Sequence, residues 1–164
     1  MNPPIVFTSP LPATALQFDS MAHTAGLSIL EETRIALLSD RADISAEALL
    51  SQPVAVSIAL RDGEQRHIHG HVTRFGIGRN QGRYFGYEIS VRPWLWFLTR
   101  TSDCRIYQNQ TVQQIVESVF AEHAGIAKYE FKLSSSYRSR DYTVQYRETD
   151  FNFVARLLED EGIY

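Results

Sequence analysis

Between Val54 and Val91, two runs, VAVSIAL and RYFGYEISV, alternate their side chains in period two, and turn signals stand between them. That periodicity belongs to strands with one face on a core and one in solvent, and it excludes an amphipathic helix over the same stretch. In VAVSIAL, the residues Val54, Val56, Ile58 and Leu60 share a face. Asp62-Gly63 follows as a tight hairpin signal, because glycine accepts positive φ. The return strand reads RHIHGHVTRF, and the glycine-rich GIGRNQG is the next turn. RYFGYEISV then puts Phe85, Tyr87, Ile89 and Val91 on one face and Tyr84, Gly86, Glu88 and Ser90 on the other. Upstream, Leu27 to Ser39 is strand-like with Thr33, Ile35 and Leu37 together, and DRADISAEALLSQP suits a loop with a short helical turn ending near Pro53. Consecutive strands on short turns make an antiparallel meander, which closes into a small barrel or a strongly bent sheet.

Arg92-Pro93 marks a change of organisation, since proline pre-sets a first helical turn. WLWFL is apolar on every side and must be buried or docked. CRIYQ reads as a short extended piece. Thr111 caps a helix, and Gln114 three residues on completes a capping box. Val112, Ile115, Val116, Val119 and Phe120 then form one apolar stripe, and Gly125 is the natural stop. YEFKL and YTVQY read as short strands either side of the polar SSSYRSR. Asp150 is expected to cap a last helix with Phe151, Val154, Ala155 and Leu158 on one face, and Gly162 to end it. Ile163 and Tyr164 look like the start of a further strand, which makes the chain a fragment of something longer. The expected class is α+β: an antiparallel barrel-like domain over residues 1–92, then a mixed segment with two amphipathic helices over residues 93–164.

Bulk properties narrow the function. A net charge of −3 with scattered arginines argues against nucleic acid, which meets a basic stripe. One cysteine, Cys104, rules out an internal disulfide and fits a reducing compartment. The opening MNPPIVFTSPLPATAL has neither the basic nor the apolar region of a secretory signal, and no apolar run approaches a membrane span.

Candidate chemistry is sparse. His67, His69 and His71 alternate on a strand, so their imidazoles share a side. Two such histidines can share a zinc, but a catalytic zinc needs a third ligand, and the competing reading is a polar strand face. Gly76, Gly78 and Gly82 have the wrong spacing for a dinucleotide loop and join strand to strand. Cys104 would need an imidazole base, the nearest in sequence being His123; packing is the commoner fate of cysteine. Asp141, Glu148, Asp150 and the acidic run Glu159, Asp160 and Glu161 contain a formal carboxylate pair, yet Asp150 is accounted for as a cap and the rest as surface charge. The acidic run lies at a helix C-terminus, where carboxylates oppose the dipole. Arg147, Arg156 or an arginine of a neighbouring subunit would compensate it; the alternative is a solvated helix end. No catalytic residue and no cofactor are assigned. Trp94 and Trp96 point apart on a helix, so one can be core and the other an interface anchor, or both can be core.

The strings PWLW (Pro93 to Trp96), DCRIYQNQTV (Asp103 to Val112) and QYRETDFNFVARLLEDEGIY (Gln145 to Tyr164) resemble the N-terminal part of the VgrG spike proteins of type VI secretion systems. HGHVTRF and LLSQPV are weaker parts of the same likeness, which runs from about Leu27 to the last residue. Rhs-element proteins and phage tail hubs share this region. The resemblance implies a non-enzymatic hub: a homotrimer adapting a hexameric tube to a puncturing needle, with a spike tip protein and effector cargo as further partners. It implies assembly in the bacterial cytoplasm and export by the apparatus itself. Trp94, Trp96, Arg105, Tyr107, Arg147, Glu159, Asp160 and Glu161 are the side chains expected at subunit interfaces. A phage or prophage baseplate hub is the alternative within this likeness, and a metal-dependent hydrolase on the histidine strand is the alternative outside it.

Overall fold

The computed structural model describes residues 5–164, and the chain divides into two compact units between Pro93 and Trp94. The first unit is a six-stranded antiparallel sheet. Its strands are β1 (Ile5–Thr8), β2 (Gln17–Thr24), β3 (Glu32–Ser39), β4 (Pro53–Ala59), β5 (Gln65–Ile77) and β6 (Phe85–Arg92), in the spatial order β1-β4-β5-β6-β3-β2. The period-two pattern of the sequence is what the sheet uses. Thr33, Ile35 and Leu37 of β3, Val54 and Val56 of β4, and Tyr87, Ile89 and Val91 of β6 are buried on one face. Phe85 lies at the start of β6, where the core ends, and stays partly exposed.

The curl comes from β5. Residues Gln65 to His71 pair with β4, residues His71 to Ile77 pair with β6, and a register shift lies between Val72 and Arg74. This stagger of one strand between two neighbours, with a bulge at the crossing, bends a flat sheet towards a barrel. The bend demands a glycine: a Cβ on Gly70 would stand 2.5 Å from the carbonyl oxygen of Arg92. Tyr87 secures the loop after β3 by donating its hydroxyl to the carbonyl of Arg41 at 2.9 Å. The edge strands β1 and β2 touch, so the sheet nearly closes on itself.

The second unit pairs β7 (Ser102–Gln110) with β8 (Arg140–Thr149) as a two-stranded ribbon. A 3-10 turn over Trp94–Thr99 precedes it, and the helices α1 (Val112–Ala121) and α2 (Asp150–Asp160) pack with it. The capping box forms as expected: Gln114 N–H donates to the Thr111 hydroxyl, and Thr111 N–H to the Gln114 side chain at 2.9 Å. Val112, Ile115, Val116, Val119 and Phe120 are all buried, around Leu98, Phe153 and Leu157.

Five details of this unit differ from the sequence reading. The cap of α2 is Thr149, whose hydroxyl accepts from Asn152 N–H at 3.1 Å; Asp150 is the first helical residue and is buried. With Asp150 facing inward, the buried stripe of α2 is Asp150, Phe153, Val154 and Leu157, and Phe151, Ala155 and Leu158 are only half-buried. Helix α1 ends at Ala121 in a series of tight turns rather than on Gly125. Tyr129 to Leu133 is irregular, because β7 and β8 take each other as partners and Tyr129 packs edge-on to Phe120, 4.7 Å between centroids. In WLWFL only Leu98 is fully buried, the remaining side chains being half-exposed. Gly162 behaves as expected. At φ 67° it lets Ile163 N–H reach Leu158 O and its own N–H reach Glu159 O, a Schellman closure.

Candidate functional site

Three arginines organise the polar chemistry of the second unit. Arg156 of α2 reaches back to β8, gripping the Glu148 carboxylate through Nε and Nη2 at 2.7–3.1 Å and donating to Val144 O at 2.6 Å. Arg140, at the start of β8, donates to Glu161 at 2.6 Å and to Asp160 at 3.4 Å. Asp160 and Glu161 at the acidic end of α2 are therefore paired within the chain by Arg140, and not by Arg147 or Arg156. Arg156 is spent on Glu148. Hydrogen bonding to Glu161 holds the Arg140 guanidinium charged beyond its ordinary range, and Glu148 does the same for Arg156. Arg105 bridges Asp103 and Glu122, each at 2.8 Å, and so ties β7 to the turn that ends α1. Burial works against its charge, but hydrogen bonds to Tyr107 and Asp103 and the field of Glu122 raise its pKa overall.

Beneath these surface pairs lies a buried one. The Asp150 carboxylate accepts from Thr101 Oγ1 and Gln145 Nε2, both at 2.7 Å, while its N–H donates to Thr101 O. His123 Nε2 is 3.9 Å away. An anion at N1 of a helix is favoured by the dipole, and here it also joins β7, β8 and α2. The sequence alone reads Asp150 as a cap; the sign that it faces inward is its place at the head of the apolar stripe Phe153, Val154 and Leu157.

The expected interface residues fall in different settings. Tyr107 is buried and stacks on Phe153 at 5.6 Å. Trp94 is half-buried; its Nε1 donates to Lys128 O at 2.9 Å, and its ring meets Phe120 edge-on at 4.8 Å. Trp96 is half-buried with the Arg100 guanidinium 5.7 Å from its ring. Arg147 is exposed, stands in the left-handed region at φ 49°, and lies over its neighbour Tyr146. Glu159 and Asp160 are exposed and Glu161 half-buried.

The sharper chemical readings gather no supporting geometry. His67 and His69 are exposed and His71 half-buried along β5, and His67 Nδ1 lies 3.0 Å from the Ser57 hydroxyl. Among the described residues no three His, Cys, Asp or Glu side chains come together as metal ligands. Cys104 is exposed on the ribbon rather than packed away, and the His123 ring is turned to Asp150. Gly76, Gly78 and Gly82 lie in or beside a strand-to-strand turn, closed by Gly78 N–H donating to Gly86 O. Of the carboxylates, Glu148 is held by Arg156 and Asp141 is exposed. No helix among the described residues is long and apolar enough to cross a membrane.

From residue 24 to residue 164 the sequence matches the phage tail baseplate hub family. The chain belongs to that family. Within it, the VgrG likeness is strong. The type VI secretion system spike protein VgrG1b of Pseudomonas aeruginosa is 45% identical over 95% of this chain and 21% of its own length. VgrG3 of Vibrio cholerae is 34% identical over 79% of this chain and 13% of its own. A Vibrio cholerae relative described as the actin cross-linking toxin VgrG1 is 30% identical over 79% of this chain and 12% of its own. The chain thus spans about a fifth or less of these hub relatives.

Solved structures agree on the fold. The E. coli c3393 protein superposes with a TM-score of 0.80 at 30% identity, covering 93% of this chain and 42% of that one. It is described as a type VI secretion component with structural similarity to the bacteriophage T4 tail proteins gp27 and gp5. A prophage MuSo2 tail protein of Shewanella oneidensis superposes at TM-score 0.68 with 18% identity, over 96% of this chain and 48% of that one, a likeness of fold alone. The hub fold expected from the sequence is the fold observed.

Proposed function

We propose that this chain is the hub portion of a type VI secretion spike, a non-catalytic homotrimeric adaptor between a hexameric tube and a puncturing needle. The observation that carries this reading is the 0.80 superposition on a type VI secretion component, together with 45% identity to a secretion spike protein. Identity to the prophage tail protein is far lower, which favours the secretion apparatus over a phage baseplate. The residue chemistry is consistent with assembly. In the second unit Arg105, Arg140 and Arg156 are spent on carboxylates that tie strands to helices, and His67 and His69 lie on a solvent face of β5. On this reading the protein assembles in the bacterial cytoplasm and leaves with the apparatus, and any enzymatic cargo resides outside this segment.

Two measurements test it. Light scattering of the intact protein is expected to give a trimer. Deleting its coding sequence in the source bacterium is expected to abolish release of the tube protein. A stable monomer, or undiminished tube release where no second spike protein is encoded, refutes the proposal.

A further inference from the structure

The outer face of the β7–β8 ribbon carries the exposed apolar side chains Ile106, Tyr142 and Tyr146, at 61%, 56% and 64% exposure. Register explains the cluster. Cys104 faces Tyr146, Ile106 faces Val144 and Gln108 faces Tyr142, so these six residues form one side of the ribbon. The opposite side, with Tyr107, Thr143 and Gln145, is buried in the unit's own core. With whole aromatic side chains at 150–250 Å² each, the three exposed residues present roughly 350 Å² of contiguous surface. A standard interface takes about 800 Å² from each partner, with an apolar centre inside a polar rim. The patch has the size of such a centre, and tyrosine and arginine are the types that dominate binding energy there.

The rim supplies the second observation. Arg147 interrupts the register of β8 between Tyr146 and Glu148, in left-handed backbone that a non-glycine residue adopts at a cost. A bulge of this kind re-aims a side chain, and here the guanidinium is laid beside Tyr146, 5.2 Å from its ring. Among the described residues no carboxylate lies within ion-pair distance of Arg147. Neither does a cation lie within that distance of Glu159, exposed in the last turn of α2, where the dipole disfavours an anion. The neighbouring Asp160 and Glu161 are compensated by Arg140, and Glu159 is not.

We propose that the β7–β8 outer face is a contact surface between copies of this chain, with Arg147 of one copy pairing with Glu159 of the next. The inference rests on the trimeric reading above and names a surface for it. Two different patches meeting head to tail is the arrangement a three-fold ring requires, because an isologous contact closes at two. The occupant is thus a second copy whose α2 end supplies the missing anion.

Cys104, the single cysteine, lies on this face and serves as the probe. In the intact wild-type protein, light scattering should show a trimer whose Cys104 reacts with maleimide at least about tenfold more slowly than in urea. Arg147→Glu and Glu159→Arg should each weaken the trimer about tenfold, the range expected for an interfacial charge pair, and the double exchange should restore it. Ile106→Glu should disperse the trimer and expose Cys104. All three positions are exposed, so circular dichroism should show the fold retained. A wild-type trimer with freely reactive Cys104, and with single reversals that leave it assembled, overturns this surface while leaving the hub reading intact. Weakening by the single reversals without rescue by the pair overturns the Arg147–Glu159 contact. A wild-type monomer overturns both proposals.

Discussion

Gln145 of β8 donates through Nε2 to the buried carboxylate of Asp150 at 2.7 Å, so a strand and the helix that follows it are fastened by a side-chain bond inside the core. The same carboxylate accepts from the Thr101 hydroxyl, just before β7.

Removing that carboxylate deprives the Thr101 hydroxyl of its acceptor and leaves the buried Gln145 amide only its longer 3.3 Å bond to Glu148 O. Asp150→Ala should therefore cost about 3 kcal/mol, and Asp150→Asn less, because the amide oxygen can still accept one of them. Urea unfolding of the two variants against the wild type measures both. Equal losses would show that the charge, and not the acceptor geometry, is what the core requires.

Gly70 and Gly86 are fixed by close approach in the curled sheet. A Cβ on Gly70 meets the Arg92 carbonyl, and one on Gly86 collides with the Arg79 backbone, whereas nothing stands within 4 Å of a Cβ on Gly76. Gly70→Ala and Gly86→Ala should each destabilise by about 1–3 kcal/mol, as overpacking does, and Gly76→Ala should be near neutral. Thermal unfolding of the three variants side by side provides the comparison.

The acidic end of α2 should depend on Arg140. Arg140→Ala removes the partner of Asp160 and Glu161 and should loosen the last turn by about 1 kcal/mol, whereas Arg147→Ala should leave that turn unchanged. Hydrogen exchange at the amides of Glu159 to Ile163 reads the difference directly.

The first unit carries an acid-sensitive pair. Burial pushes the Glu32 carboxyl up, but the Arg34 hydrogen bond and the charges of Arg92 and Arg34 outweigh it, and its pKa falls below the usual value. A lowered folded-state pKa contributes stability that is complete above the unfolded value, near about 4.3, and is lost as pH falls through the folded one. The Glu32 carboxyl resonance should titrate below that value in the wild type and move back up in Arg92→Leu. An unchanged midpoint would show that Arg34 and Ser90 set it without Arg92.

How far the sequence reaches is plain from particular strands. β6 was legible because it is central and buried on one face, so hydrophobicity and register say the same thing. β2 was not, because it is an edge strand whose inward positions Phe18, Met21 and His23 are only half-buried and whose register shifts at Asp19. One residue of bulge reverses which side chains face inward, and the period-two signal cancels. Helix α1 was read correctly to its cap because Thr111 and Gln114 interact over three residues. Helix α2 was read one position out of phase, because the bonds that draw Asp150 inward come from Thr101, 49 residues away, and from the facing strand.

Local order along the chain determined the alternating strands, the capping box, the glycine closure at Gly162 and the family likeness, since each depends on residues a few positions apart. Which arginine answers which carboxylate, which face of the ribbon stays apolar in solvent, and where Asp150 hides were decided by the tertiary structure. Those choices depend on groups that only the fold brings within 3 Å of one another, and electrostatics and burial act over space rather than along the chain.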